Sequence, residues 1–144
     1  LNIMQVRFLL DRLSQGFHIL SALALLFVGL SALYNPQSVM DLIAVKLTTT
    51  DANSSIRGVY GGGGTTLVIA IIYLMVQDLN KGLILLAMLW GFYAVSRIIT
   101  IFIDGPLGSF GQQWLVIEST GFAISVLLLF FRTKLITSTT HARN

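Results

Sequence analysis

Residues 14–34 read SQGFHILSALALLFVGLSALY, and this stretch decides the fold class. About 20 predominantly apolar residues suffice for one helix to cross the hydrocarbon core of a bilayer. No Asp, Glu, Lys or Arg lies between Arg12 and Asp41, and His18 is the one imidazole in the run. Arg7 and Arg12 precede it as they would in a signal-peptide n-region. The apolar stretch outlasts a typical h-region, however, and no small-x-small cleavage site follows. A retained transmembrane helix is therefore expected. The chain opens on Leu1 rather than Met, so a start residue is expected to be missing or removed.

Outward from this stretch the pattern repeats. The 144 residues are 55% hydrophobic and 10% charged, with a mean hydropathy of +0.82. Soluble domains carry about 25% charged residues, so these charges are too few to cover a soluble surface. Three further spans are expected at about residues 56–76, 82–103 and 114–131. Asn35-Pro36 stops the first span, because proline lacks an N–H and disfavours helical geometry in the residue before it. The apolar piece Val39–Val45 fits a short interfacial helix or an ordinary loop. A polar stretch, Thr48–Ser55, follows it. Span two opens on Gly58 and Gly61–Gly64. Glycine disfavours a helix in water but lets membrane helices approach closely. Asp78–Lys81 reads as a tight polar turn between antiparallel neighbours. Asp104-Gly105-Pro106 ends span three, and Leu107–Gln113 reads as a loop. The expected fold is all-α: an integral membrane four-helix bundle over residues 1–132, then a polar tail over 133–144.

Four crossings put both termini on one side of the membrane. That side carries Arg7, Arg12, Lys81, Arg132, Lys134 and Arg143, against Lys46 and the boundary residue Arg57 opposite. The positive-inside rule then makes both termini cytoplasmic. The same rule explains the net charge of +3. Scattered flanking cations are no basic patch, so nucleic acid is not an expected partner. The chain has no cysteine, which excludes disulfides and thiolate chemistry.

The few charges inside the apolar segments are the candidate site. A charge in hydrocarbon is costly and so faces the bundle interior, pairs, or serves a function. Arg57 opens span two and Asp104 closes span three, both at the face opposite the termini. Arg97 lies seven residues before Asp104, roughly 10 Å deeper at the helical rise. Glu118 lies about one turn inside span four. Tyr93, Arg97, Thr100 and Asp104 share one face of span three. Glu118, Gly121 and Ser125 form a small or polar stripe on span four, and Arg57, Gly61 and Gly64 share a face of span two. Together with Tyr60, these residues are expected to form a neutral cluster. The cluster reads as register-fixing ion pairs or as a polar pocket for a headgroup or small ligand. Gly58, Gly61, Gly62, Gly64 and Gly121 are the expected helix-packing positions. Tyr34, Tyr60, Phe110 and Trp114 read as an aromatic belt.

No other chemistry finds a motif. Gly61–Gly64 lacks the following Lys-Ser/Thr of a phosphate loop, and no nucleophile elbow or Ser-x-x-Lys occurs. His18 follows Asp11 and Ser14 at helical spacing and is expected to bond Ser14 or an acidic neighbour. It lacks a second intramembrane histidine, since His141 falls in the tail. No metal and no cofactor is expected, and no catalytic residue is assigned.

The ordered set Arg57-Gly58-Val59-Tyr60-Gly61-Gly62, Ser96-Arg97, Asp104-Gly105-Pro106 and Glu118 resembles the DUF4345 family of small bacterial four-helix membrane proteins without an assigned activity. More distantly it resembles DoxX-like four-helix membrane proteins. The resemblance implies that Arg57, Arg97, Asp104 and Glu118 match the family's characteristic polar positions, and it implies a bacterial inner membrane. The expected function is that of an accessory or interaction subunit within a larger membrane complex, with lipids and proteins as partners. The alternative is a ligand-, lipid- or metabolite-binding protein, even an enzyme, using the Arg/Asp/Glu pocket.

Overall fold

The computed structural model describes the backbone of residues 2–141 and the side chains of residues 2–134. Leu1 and Arg143 lie outside the described residues, as does the end of the tail; the His141 side chain is likewise not described. The described chain is all helical: α1 (Ile3–Tyr34), α2 (Pro36–Asp41), α3 (Thr50–Ile56), a π-helical segment (Arg57–Gly63), α4 (Gly64–Gln77), α5 (Leu79–Ile103) and α6 (Ser109–His141). Four helical stretches are long and apolar enough to cross a membrane: Ile3–Tyr34, Thr50–Gln77, Leu79–Ile103 and Ser109–Lys134. Within their most apolar windows only 28, 11, 17 and 17% of residues are buried inside the protein. Most of their apolar side chains face outward, which suits a lipid solvent rather than water.

Local chemistry sets the helix ends. Asn35 is extended and Pro36 opens α2, where proline's missing N–H costs nothing. Thr49 caps α3, its hydroxyl accepting from the Ala52 N–H at 3.1 Å. Asp78 caps α5, its carboxylate accepting from the N–H groups of Asn80 and Lys81. The expected turn Asp78–Lys81 thus shrinks to one residue, because Asp78 satisfies the orphan donors and lets Leu79 start the helix. Gly105, with φ +103, follows α5. Two further boundaries differ from expectation. The polar residues from Thr50 are helical rather than loop, started by the Thr49 cap. α6 begins at Ser109, ahead of Trp114.

The chain forms two compact units, Ile19–Tyr73 and the remainder. In the first, Ala32, Val39 and Met40 form a buried cluster with Val28, Leu47 and Ile56 against it. Here α1 meets the glycine-rich stretch almost backbone to backbone: Gly64 lies against Gly29, and Gly61 lies under Leu33. In the second unit, α5 and α6 interlock. The Trp90 ring sits on Gly121 and the Phe122 ring sits on Gly91. A Cβ at Gly121 would meet Trp90 at 2.9 Å, and one at Gly91 would meet Phe122 at the same distance. Leu83, Leu86 and Ala94 complete the buried face of α5.

Candidate functional site

Glu118 is the only buried acidic side chain among the described residues, 1% exposed on α6. Both its carboxylate oxygens are occupied by Arg97 of α5: Nε donates to Oε2 at 2.6 Å and Nη2 donates to Oε1 at 2.9 Å. This is the planar two-bond geometry in which guanidinium binds carboxylate best. The seam beneath is built from small residues. The stripe Glu118, Gly121 and Ser125 is buried in full, and the Ser125 hydroxyl donates to the Gly121 carbonyl at 2.8 Å. Gly121 leaves room for Trp90, whose ring stands edge-on to Tyr93.

Asp104 and Arg57 are the other expected charged members. Asp104 is exposed at the C-terminal end of α5, where its N–H donates to the Thr100 carbonyl. Among the described residues no cation lies within ion-pair distance of it. Arg57 belongs to the unit Ile19–Tyr73, and its Nε donates to the Leu33 carbonyl at 3.1 Å. Pro36 ends α1 and leaves its last carbonyls without intrahelical donors, so Arg57 caps the negative end of that helix. Of the three candidate charges that share a unit, Arg97, Asp104 and Glu118, two form an ion pair. The Arg57 side chain answers to the end of α1, while the Asp104 carboxylate stays exposed. Tyr60 is half-exposed, its carbonyl facing Gly29. Among the expected packing glycines, Gly61, Gly64 and Gly121 make close contacts, while a Cβ at Gly58 or Gly62 would meet nothing within 4 Å.

The profile of a domain of unknown function, DUF4345, matches residues 13–129. The chain belongs to the DUF4345 family. No curated protein and no solved structure matches it. The DUF4345 region contains Arg57, Arg97, Asp104 and Glu118 together with the α5–α6 seam.

A second polar network sits at the opposite end of that seam, partly beyond the edges of the DUF4345 match. Arg132 of α6 pairs through Nη1 with Asp11 of α1, and its Nε donates to the Asn80 side chain of α5 at 2.8 Å. One guanidinium thus ties three helices. Deeper in, His18 is fully buried, and its Nδ1 donates to the Ser14 carbonyl at 2.7 Å. Among the described residues its Nε2 has no hydrogen-bond partner. A Cβ on Gly82 would stand 2.2 Å from that atom, so only glycine fits there. Nearby, the Lys81 backbone N–H holds the Asp78 carboxyl below its ordinary value, helped by the Lys81 ammonium and the Asn80 N–H. The spacing of Asp11, Ser14 and His18 marked one face of this network. Its connection to Arg132 spans nearly the whole chain and left no local signal. No group of three or more His, Asp or Glu gathers into a metal-binding set among the described residues.

Proposed function

We propose that this DUF4345 protein is an accessory subunit of a larger complex in the bacterial inner membrane, docking one open helix face onto a partner's transmembrane helix. The observation that carries this reading is the contrast among the glycines of span two. Gly61 and Gly64 are consumed by contact with α1, whereas Gly58 and Gly62, one turn apart, face open space. Thr66 continues that exposed line, with its hydroxyl turned back onto the Gly62 carbonyl at 2.9 Å. Small residues spaced by four let a second helix approach to backbone distance, which is how membrane helices associate. The asymmetry of Lys and Arg between the two sets of loops supports cytoplasmic termini. The chain is purified natively in mild detergent, and Gly62→Ile is compared with Gly16→Ile. Gly16 is also open but belongs to the other unit. A partner lost with Gly62→Ile and kept with Gly16→Ile supports the reading; a lone monomer with no reproducible partner overturns it.

One observation favours a second reading, a site for an anionic headgroup or metabolite. Arg97 commits Nε and Nη2 to Glu118, and its side chain keeps 25% exposure, so donors remain at its open edge. Glu118 has no oxygen to spare, so any such site rests on Arg97. Binding of phosphatidylglycerol that Arg97→Gln leaves unchanged would remove this reading.

A further inference from the structure

The connection between α1 and α3 displays a rigid apolar tip. After α2 the chain closes with a pair of bonds that ends many helices: the Val45 N–H donates to the Met40 carbonyl at 3.0 Å and the Ala44 N–H to the Asp41 carbonyl at 3.2 Å. Such an ending requires a left-handed residue, usually glycine. Here Ala44 takes it, at φ 57. Gln37 braces the turn from within. Its Nε2 donates to Asp41 Oδ1 and to the Val45 carbonyl, and its Oε1 accepts from the Leu47 N–H at 2.8 Å. Pro36, Val39 and Met40 face inward and are buried. Leu42, Ile43 and Val45 face outward at 54, 48 and 44% exposure. Both sides of this short segment are therefore apolar, and water is a poor solvent for the outer one.

Its surroundings say what covers it. The segment begins directly after the end of a bilayer-length helix, beside Tyr34, which is 91% exposed. Exposed tyrosines at helix ends sit at headgroup level. Lys46 is exposed next to the tip. Arg57 is exposed as well, fixed by Nε to Leu33 with its terminal nitrogens unpaired among the described residues. The chain neighbours of these two cations, Leu47 and Ile56, pack on one cluster, which brings both cations to the same end of the unit.

We propose that the turn Leu42–Val45 is an interfacial membrane anchor. Leu42, Ile43 and Val45 seat below the lipid phosphates of the leaflet in which α1 ends, and Lys46 and Arg57 meet those phosphates. An apolar wedge bordered by cations is the arrangement that holds interfacial segments in a bilayer.

The absence of native cysteine makes the test direct. Single cysteines at Leu42, Ile43 or Val45 of the full chain carry a nitroxide label in phosphatidylcholine vesicles. Relaxation by oxygen is compared with relaxation by a water-soluble nickel chelate. Asp51→Cys is the reference for the aqueous side and Ile69→Cys, on α4, the reference for lipid. The anchor predicts an oxygen-to-nickel ratio at residues 42, 43 and 45 several-fold above Asp51→Cys and approaching Ile69→Cys. A ratio equal to that of Asp51→Cys overturns it. So does shielding from both reagents, which would mean a protein cover, or spin–spin broadening, which would mean a second copy. Adding phosphatidylglycerol deepens the labels, and Lys46→Ser weakens that response; indifference to the anionic lipid overturns the phosphate contact.

Discussion

The two ends of the α5–α6 seam each hold an arginine on a carboxylate, and they use it differently. At one end Glu118 is sealed from solvent and both its oxygens are consumed by one partner on one neighbouring helix. At the other, Arg132 is the better-buried member, with its side chain 13% exposed against 39% for Asp11, and it divides its donors between α1 and α5. The first is a deep, single-partner clamp and the second a shallower tie among three helices. A buried carboxylate deprived of its cation, or the reverse, is expensive, whereas an exposed pair contributes little. The same pairing chemistry should therefore differ several-fold in its effect on stability.

Breaking the deep clamp gives the largest expected effect. Glu118→Leu leaves Arg97 without its anion and should cost about 3 kcal/mol, toward the lower end for a buried pair because Arg97 is partly open. Glu118→Gln should cost less, since the amide oxygen still accepts one bond. The double variant Arg97→Met/Glu118→Leu should recover much of the loss. Denaturation in mixed micelles measures all three. A double variant no better than Glu118→Leu would mean that the pair's worth lies in its geometry rather than in avoiding a lone charge.

The glycine beside the clamp sharpens the contrast. Gly121→Ala places a Cβ 2.9–3.1 Å from three ring atoms of Trp90, within the tightly held α5–α6 contact. Overpacking of this kind costs roughly 1–3 kcal/mol, and the tryptophan near-ultraviolet signal should change with it. The open Gly62→Ala should cost much less, since nothing stands within 4 Å. Equal losses at the two positions would show that Gly62 is covered in the membrane.

Much of this was legible in the sequence, for physical reasons. Bilayer-length apolar runs have few alternative structures, so the four long helices could be read from hydropathy alone. The rarity of charges in such runs singles out Arg97 and Glu118, though not as each other's partners. Arg57 differs because the sequence reading allows charges only other charges as partners, whereas helix ends supply partial charges of their own. The π-helical geometry of Arg57–Gly63 was hidden because glycine carries no side-chain pattern to reveal it. Arg132 was read as a topology signal alone, since only the folded chain brings it to Asp11.

At the shallow end, Asp11→Ala should cost about 1 kcal/mol, the low end for a buried donor left without its acceptor, because Arg132 keeps its bond to Asn80. Its cleaner signature is positional: Arg132 keeps Asn80, so hydrogen exchange should rise at the start of α1 and little at the start of α5. A loss matching that of Glu118→Leu would erase the distinction between the two ends.

The smallest effect concerns Asp78, at the same shallow end. Its folded-state pKa lies below its ordinary value of 3.8, first through the Lys81 backbone N–H. A carboxylate with a depressed folded pKa contributes stability above its unfolded value and loses it as pH falls through the folded one. The wild type should therefore weaken slightly on acidification below the ordinary carboxylate range, while Asp78→Asn keeps a side-chain acceptor for the cap and should lack that component. Partial exposure to solvent keeps the difference small, so it is best read as a difference between two pH titrations of unfolding. A wild type and Asp78→Asn with superimposable titrations would show that the α5 cap needs an oxygen but no charge. That outcome would widen the gap between this end of the seam and the one where Arg97 takes both oxygens of Glu118.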